Sequence, residues 1–150
     1  MLGLRVDDPD GIEGPAGSEA GLGLLDIVTV MRPRKEVRTV AGCWTGDGSR
    51  VEGYEIHMGD SRGAALDRPF LTLAGTPHGA VSADGRVAGC YLHGLFTSDA
   101  FRKRYLARLG IEAQADGYWT GVDAALDAVA QAMETHLDID GLLAVAEAGA

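Results

Sequence analysis

The sequence predicts one domain of α/β or α+β type, with its strands in the first two thirds of the chain and its helices at the end. Three observations lead there. Between residues 24 and 96, apolar and β-branched runs recur between turn residues. After residue 97 the apolar spacing changes from two to three or four. Glycine supplies 22 of 150 residues, about twice the usual share, which suits tight turns and close backbone approaches. At this length one hydrophobic core is expected.

Taken in order, residues 1–23, MLGLRVDDPDGIEGPAGSEAGLG, combine Gly, Pro and acidic residues with little periodicity and read as a lead-in loop. Strands are expected in LLDIVTVM (24–31), EVRTVAGCW (36–44) and VEGYEIHM (51–58), the last two separated by the turn residues DGS at 47–49. In the third strand, period-two alternation sets Tyr54, Ile56 and Met58 on one face and Glu55 and His57 on the other. The first face reads as packed and the second as polar. PFLTLAG and GAVSADGRVAGCYLHG read as further short strands, with Asp84-Gly85 as a hairpin turn. TSDAFRKRYLARLG is a helix capped by Thr97 or Ser98, with Asp99 in its first turn, an apolar stripe of Phe101, Tyr105, Leu106 and Leu109, and Gly110 as its stop. A second stripe, Val122, Leu126, Val129, Met133 and Leu137, marks a helix over about 121–137, and Asp138 caps a last short one through Leu142, Leu143 and Val145. The chain shows no internal repeat.

Charge and cysteine content narrow the function. Thirteen Lys and Arg face 22 Asp and Glu, a net charge of −9, the wrong sign for gripping nucleic acid or an anionic membrane. The apolar stretch GLGLLDIVTV is broken by Asp26 and falls short of the roughly 20 residues that span a bilayer. The N-terminus has no secretory pattern, so a cytoplasmic location is expected. Cys43 and Cys90 are too few for a disulfide framework and lack C-x-x-C spacing, so both are read as reduced.

His93 is the first candidate for chemistry. It follows the apolar run VAGCYL and precedes Gly94, which permits a sharp turn. Strand ends leading into turns are where α/β folds display working side chains, and imidazole passes protons near neutral pH. The other reading is a hydrogen-bonded core histidine. A base needs a nucleophile to activate, but alternation points Cys90 away from His93, Cys43 reads as strand packing, and Thr97 and Ser98 read as helix caps. Glu55 and His57 share the polar face of GYEIHMG, either as pocket residues for a polar ligand or as a solvated face. DDPDG fails as a calcium loop, because counting from Asp8 puts Ile12 at a ligand position and Glu13 where glycine belongs. His78 reads as a turn residue, and His136 suits a helix end. No metal site is expected.

GYEIHMG at 53–59 and GCYLHGLF at 89–96 together resemble the glutamine amidotransferase domain of the cobyric acid synthase family. DPDGIEG followed by GLGLLDIVTVM, and the helical stretches FRKRYLARLG and AALDAVAQAMETHLDIDGLLAVA, are similar to that family as well, so the likeness runs over nearly the whole chain. The resemblance implies an incomplete class I glutamine amidotransferase-like (flavodoxin-like) domain, a mixed sheet with C-terminal helices. It also implies a role in cobalamin biosynthesis: ammonia released from glutamine feeds an ATP-dependent amidation of corrin carboxylates. His93 matches the family's proton-relaying histidine, and Tyr54, Glu55 and His57 are candidates for a glutamine pocket. The family's nucleophile lies in a Cys-Gly-Gly-Tyr-Gln-Met-Leu-Gly type segment whose tail is similar to the opening MLG. The expectation is therefore a C-terminal portion that lacks the nucleophile and the synthetase domain, with ATP and magnesium belonging to that absent domain, and that is inactive alone. Leu95 stands where other class I amidotransferases carry a third-member Glu. An exposed apolar patch and poor solubility are also expected. The alternatives are a non-catalytic binding module around Glu55 and His57, or a subunit of a split or cell-wall-precursor amidotransferase with a separate N-terminal chain.

Overall fold

The computed structural model describes residues 1–112 and 117–149, so residues 113–116 and 150 of the expected helical region lie outside it. In chain order these residues form strands β1 (Arg5–Asp8), β2 (Gly17–Ala20), β3 (Val28–Val30), β4 (Glu36–Trp44), β5 (Arg50–His57), β6 (Asp60–Arg62), β7 (Leu71–Leu73), β8 (Thr76–His78), β9 (Ala80–Val81), β10 (Ala88–Gly89) and β11 (Leu92–His93), then helices α1 (Asp99–Arg108), α2 (Tyr118–His136) and α3 (Ile139–Ala148). Strands precede helices, as the periodicity requires.

Local chemistry builds the central hairpin. β4 and β5 are rich in β-branched residues, and the turn between them closes where Gly48 takes φ 79° and the Ser49 N–H donates to Asp47 Oδ1. The register follows, from Cys43 opposite Arg50 to Glu36 opposite His57. A second tight turn, Ala74-Gly75, both at positive φ, joins β7 to β8. The result is an antiparallel five-stranded sheet of order β11-β5-β4-β7-β8. Asp84-Gly85 turns the β9–β10 hairpin as expected.

The first 23 residues correct the expectation of a lead-in loop. β1 and β2 pair antiparallel, β1 pairs parallel with β3, and β3 pairs antiparallel with β6, giving a mixed sheet of order β2-β1-β3-β6. Acidic and glycine-rich segments show no strand periodicity alone; β1 and β2 form by bonding each other, and β3 gives β1 a second partner. The strand expected over 24–31 shortens to Val28–Val30, because the preceding residues turn to bury Leu25.

The main core joins the five-stranded sheet to α1. Trp44, Val51, Phe70, Leu71, Leu73, Leu92 and Leu95 surround Phe101, which is fully buried and meets the Trp44 ring edge-on at 5.6 Å. α1 starts where the Ser98 hydroxyl accepts from the Phe101 N–H. It ends in a Schellman motif: Gly110 at φ 78° places its N–H on the Ala107 carbonyl and the Ile111 N–H on that of Leu106. A smaller core of Leu25, Ala65 and Ala80 lies beside the mixed sheet. α2 and α3 form where their periodicity places them but bury none of their residues, so Leu126, Val129, Met133, Leu142 and Leu143 stay exposed.

Phe101→Ala is expected to cost about 3–5 kcal/mol by loss of apolar contact and cavity formation, whereas Leu126→Ala, at a residue 61% exposed, should stay within about 0.5 kcal/mol. Urea denaturation of both variants checks this, and equal midpoints would contradict the core described.

Candidate functional site

His93 ends β11, and the left-handed Gly94 at φ 78° turns the chain away immediately after it. β11 lies against β5 with Leu92 opposite Glu55 and His93 opposite Tyr54. This approach needs Gly53, where a Cβ would fall 2.1 Å from the His93 carbonyl oxygen. Leu92 enters the core, so His93 faces outward and stacks on Tyr54, rings 5.2 Å apart and 16° from parallel. His93 Nδ1 lies 3.0 Å from the Tyr91 carbonyl. A carbonyl only accepts, so this nitrogen carries the proton, and in the neutral ring Nε2 presents its lone pair to the exposed side.

The face assignment on β5 is corrected. Tyr54 is 47% exposed and Glu55 only 2%, so the polar set is the inner one. The period was right and its direction was not, because partners on other strands make the burial of a carboxylate tolerable. Arg38, directly opposite on β4, donates from Nε to Glu55 Oε2 at 2.7 Å. His57 Nδ1 and His78 Nδ1 lie 3.4 and 3.6 Å from Glu55 Oε1. His57 Nδ1 is buried and meets no hydrogen-bond partner among the described residues.

His78 is not the turn residue expected but the end of β8, the edge of the sheet opposite β11 in strand order. The sheet curls enough for the two edges to meet, as the Tyr91 N–H donates to His78 Nε2 at 3.2 Å. The Tyr91 ring stacks on His57 at 4.7 Å, and its hydroxyl bonds Ser61 Oγ, which bonds Thr29 Oγ1, each at 2.8 Å. Glu55, His57, His78, Tyr91, Ser61 and Thr29 line a cavity of about 770 Å³ between the two larger sheets, within the size range of small-molecule sites. The four residues expected at the site therefore divide: Glu55 and His57 line the cavity, while Tyr54 and His93 share the outer face. Sequence reading missed Arg38, His78 and Tyr91. Counting the β4–β5 register outward from DGS would have found Arg38; nothing local announces the other two.

Neither thiol meets His93. Cys90 packs against the main core, and burial pushes its thiol pKa up, away from the reactive thiolate. Cys43 lies on β4 four residues beyond Thr39, the residue level with Tyr54 and His93, about 13 Å along the strand at ~3.3 Å per residue. The carboxylate of Asp8, in the rejected calcium loop, accepts from the Ile12 and Glu13 amides, which hold its pKa below the ordinary value. Among the described residues, no three His, Cys, Asp or Glu side chains group in a way that could hold a metal ion. No helix among them is long and apolar enough to cross a membrane.

A family model described as the CobB/CobQ-like glutamine amidotransferase domain matches residues 1–101. A cobyric acid synthase of Rhodobacter capsulatus is 56% identical over 146 residues, covering 97% of this chain and 30% of that protein. Cobyric acid synthases of Bradyrhizobium diazoefficiens and Methylobacterium nodulans are 53% and 50% identical, each again covering 97% of this chain and 30% of the relative. The chain thus spans about 30% of the length of these curated relatives.

His78 supplies a pH signature. Burial, together with nearby His57 and Arg38, lowers its pKa below 6.5, and the Glu55 charge only partly opposes this. Just below that pH the unfolded chain binds more protons than the folded one, so stability rises with pH. This contribution is fully present above about 6.5 and is lost as the pH falls through the folded-state value. Thermal melts from pH 7.5 to 5 should show a falling midpoint that is flatter in His78→Gln; equal slopes would remove His78 as the cause.

Proposed function

Because the chain belongs to the CobB/CobQ-like glutamine amidotransferase domain family, we propose that it carries the general-base part of a cobyric acid synthase glutaminase, acting in cobalamin biosynthesis. The observation that carries this reading is the outward-facing His93, its Nδ1–H engaged by a carbonyl and its Nε2 free toward the open face. Tyr54 serves as the platform that holds the imidazole plane.

In this reading His93 Nε2 takes the proton of a cysteine thiol, and the thiolate attacks the amide carbon of glutamine to form a tetrahedral intermediate. The imidazolium then gives that proton to the departing nitrogen. The C–N bond breaks, ammonia leaves and a thioester remains. His93 next takes a proton from water, which attacks the thioester, and returns it to the thiolate as glutamate is released. Since neither Cys43 nor Cys90 reaches His93, the nucleophile is assigned to a segment outside these 150 residues, for which the greater length of the relatives leaves room. The corrin, ATP, magnesium and an N-terminal synthetase region go with the same reading, as does a cytoplasmic location. Described this way, the chain is the C-terminal portion of an amidotransferase domain.

A second reading, a glutamine-binding module without catalysis, draws on the cavity around Glu55 and His57, which does not open beside His93. Glutamine titration and turnover together separate the two: glutamine binding without ammonia release after the nucleophile-bearing segment is joined favours the module.

Purified alone, the chain should release ammonia from glutamine only at background, since removing a nucleophile costs several orders of magnitude in rate. Joined to the nucleophile-bearing segment of a cobyric acid synthase, it should turn over, and His93→Ala should lower kcat by roughly 10²–10⁴-fold. Ammonia from the chain alone that His93→Ala abolishes would overturn the placement of the nucleophile. Undiminished turnover by the joined His93→Ala variant would overturn the base.

A further inference from the structure

A general base is normally oriented through its second ring nitrogen by an acceptor that is itself held in place. Leu95, two residues beyond His93, offers no acceptor, and among the described side chains no carboxylate lies within ion-pair distance of the imidazole. The acceptor present is the Tyr91 carbonyl, at 3.0 Å from Nδ1. Tyr91 is anchored at every polar group it has. Its N–H donates to His78 Nε2 at 3.2 Å, its hydroxyl bonds Ser61 Oγ at 2.8 Å, and its ring lies on that of His57 at 4.7 Å.

We propose that His78 and Tyr91 are positioning residues for the base: His78 Nε2 holds the Tyr91 N–H, and the Tyr91 carbonyl holds His93 with its proton on Nδ1. The inference rests on the reading of His93 as the glutaminase base. Its first link follows from proton placement. His78 Nε2 accepts from an amide N–H, so the proton of the neutral ring sits on Nδ1, the nitrogen facing Glu55 Oε1 at 3.6 Å. Burial keeps the ring neutral, as this arrangement requires. The Tyr91 N–H and C=O belong to different peptide planes joined at its Cα, so the chain of contacts transmits position rather than charge. No proton moves along it; it holds Nε2 as the free lone pair and fixes the direction in which that lone pair points. His78 thereby ties one edge of the curled sheet to the catalytic residue at the other.

The test is nitrogen NMR of the 150-residue chain labelled with ¹⁵N, with its four histidines assigned by single His→Gln variants. At pH 8, His93 should show the Nδ1–H tautomer, and a scalar coupling should cross the hydrogen bond from the Tyr91 nitrogen to His78 Nε2. His78→Gln, whose side-chain oxygen can still accept from Tyr91, should keep the His93 tautomer. His78→Leu should replace it with the mixture of free histidine, in which Nε2–H dominates. A wild-type His93 already protonated on Nε2, an absent coupling, or a His93 signature unchanged in His78→Leu would each overturn the proposal. Should His78→Leu fail to fold, the wild-type tautomer and coupling decide alone. Because none of these signals needs turnover, they separate failure of the positioning from failure of His93 as base, which the ammonia assay reports.

Discussion

A buried carboxylate governs this fold. Glu55 lies in β5 at 2% exposure, and an ionised group there is tolerated only if other groups meet its charge. Arg38 meets it from the neighbouring strand, and His57 and His78 approach its other oxygen. The first contact matches the β4–β5 register, since Arg38 stands opposite Glu55 only in the pairing observed. His78 stands at the end of β8, and through the Tyr91 N–H it joins the two edges of the sheet.

The outer face is arranged differently. On β11 the two residues diverge: Leu92 completes the core with Val51 and Phe101, and His93 turns outward onto Tyr54. A rigid apolar anchor next to an exposed imidazole holds the ring in place, because the backbone carrying it cannot shift without opening the core. Gly53 and Gly94 make the geometry possible, one by letting β11 approach β5 closely and the other by turning the chain directly after His93. The polar cavity on one side of the sheet and the histidine on the other are linked through Tyr91, whose ring belongs to the first and whose carbonyl meets the second.

Where sequence reading succeeded, the controlling interactions were local. α1 was legible from Ser98 to Gly110 because its cap, stripe and stop all lie within a few residues of the bonds they make. The β4–β5 hairpin was legible because its turn residues adjoin it. β1 and β2 were not, since their acidic and glycine-rich residues carry no strand periodicity, although they pair with each other and β1 also with β3. The two faces of β5 were exchanged for a related reason: residue type set Tyr54 on the packed face and Glu55 on the polar one, as a pocket or a solvated residue, and only the positions of the partner strands show that the polar face is the inner one.

The sequence by itself determined the order of strands before helices, the hairpin and helix boundaries, and through two short motifs the family to which the chain belongs, because each depends on residues close together in the chain or on a pattern read directly from it. Tertiary structure alone decided which side of β5 is inside, that His78 belongs with Glu55 and Tyr91, and that His93 stands apart from the cavity. Those outcomes rest on the curl of a sheet whose edge strands are adjacent in space and not in strand order, and curvature is a property of all its strands together that no single segment carries.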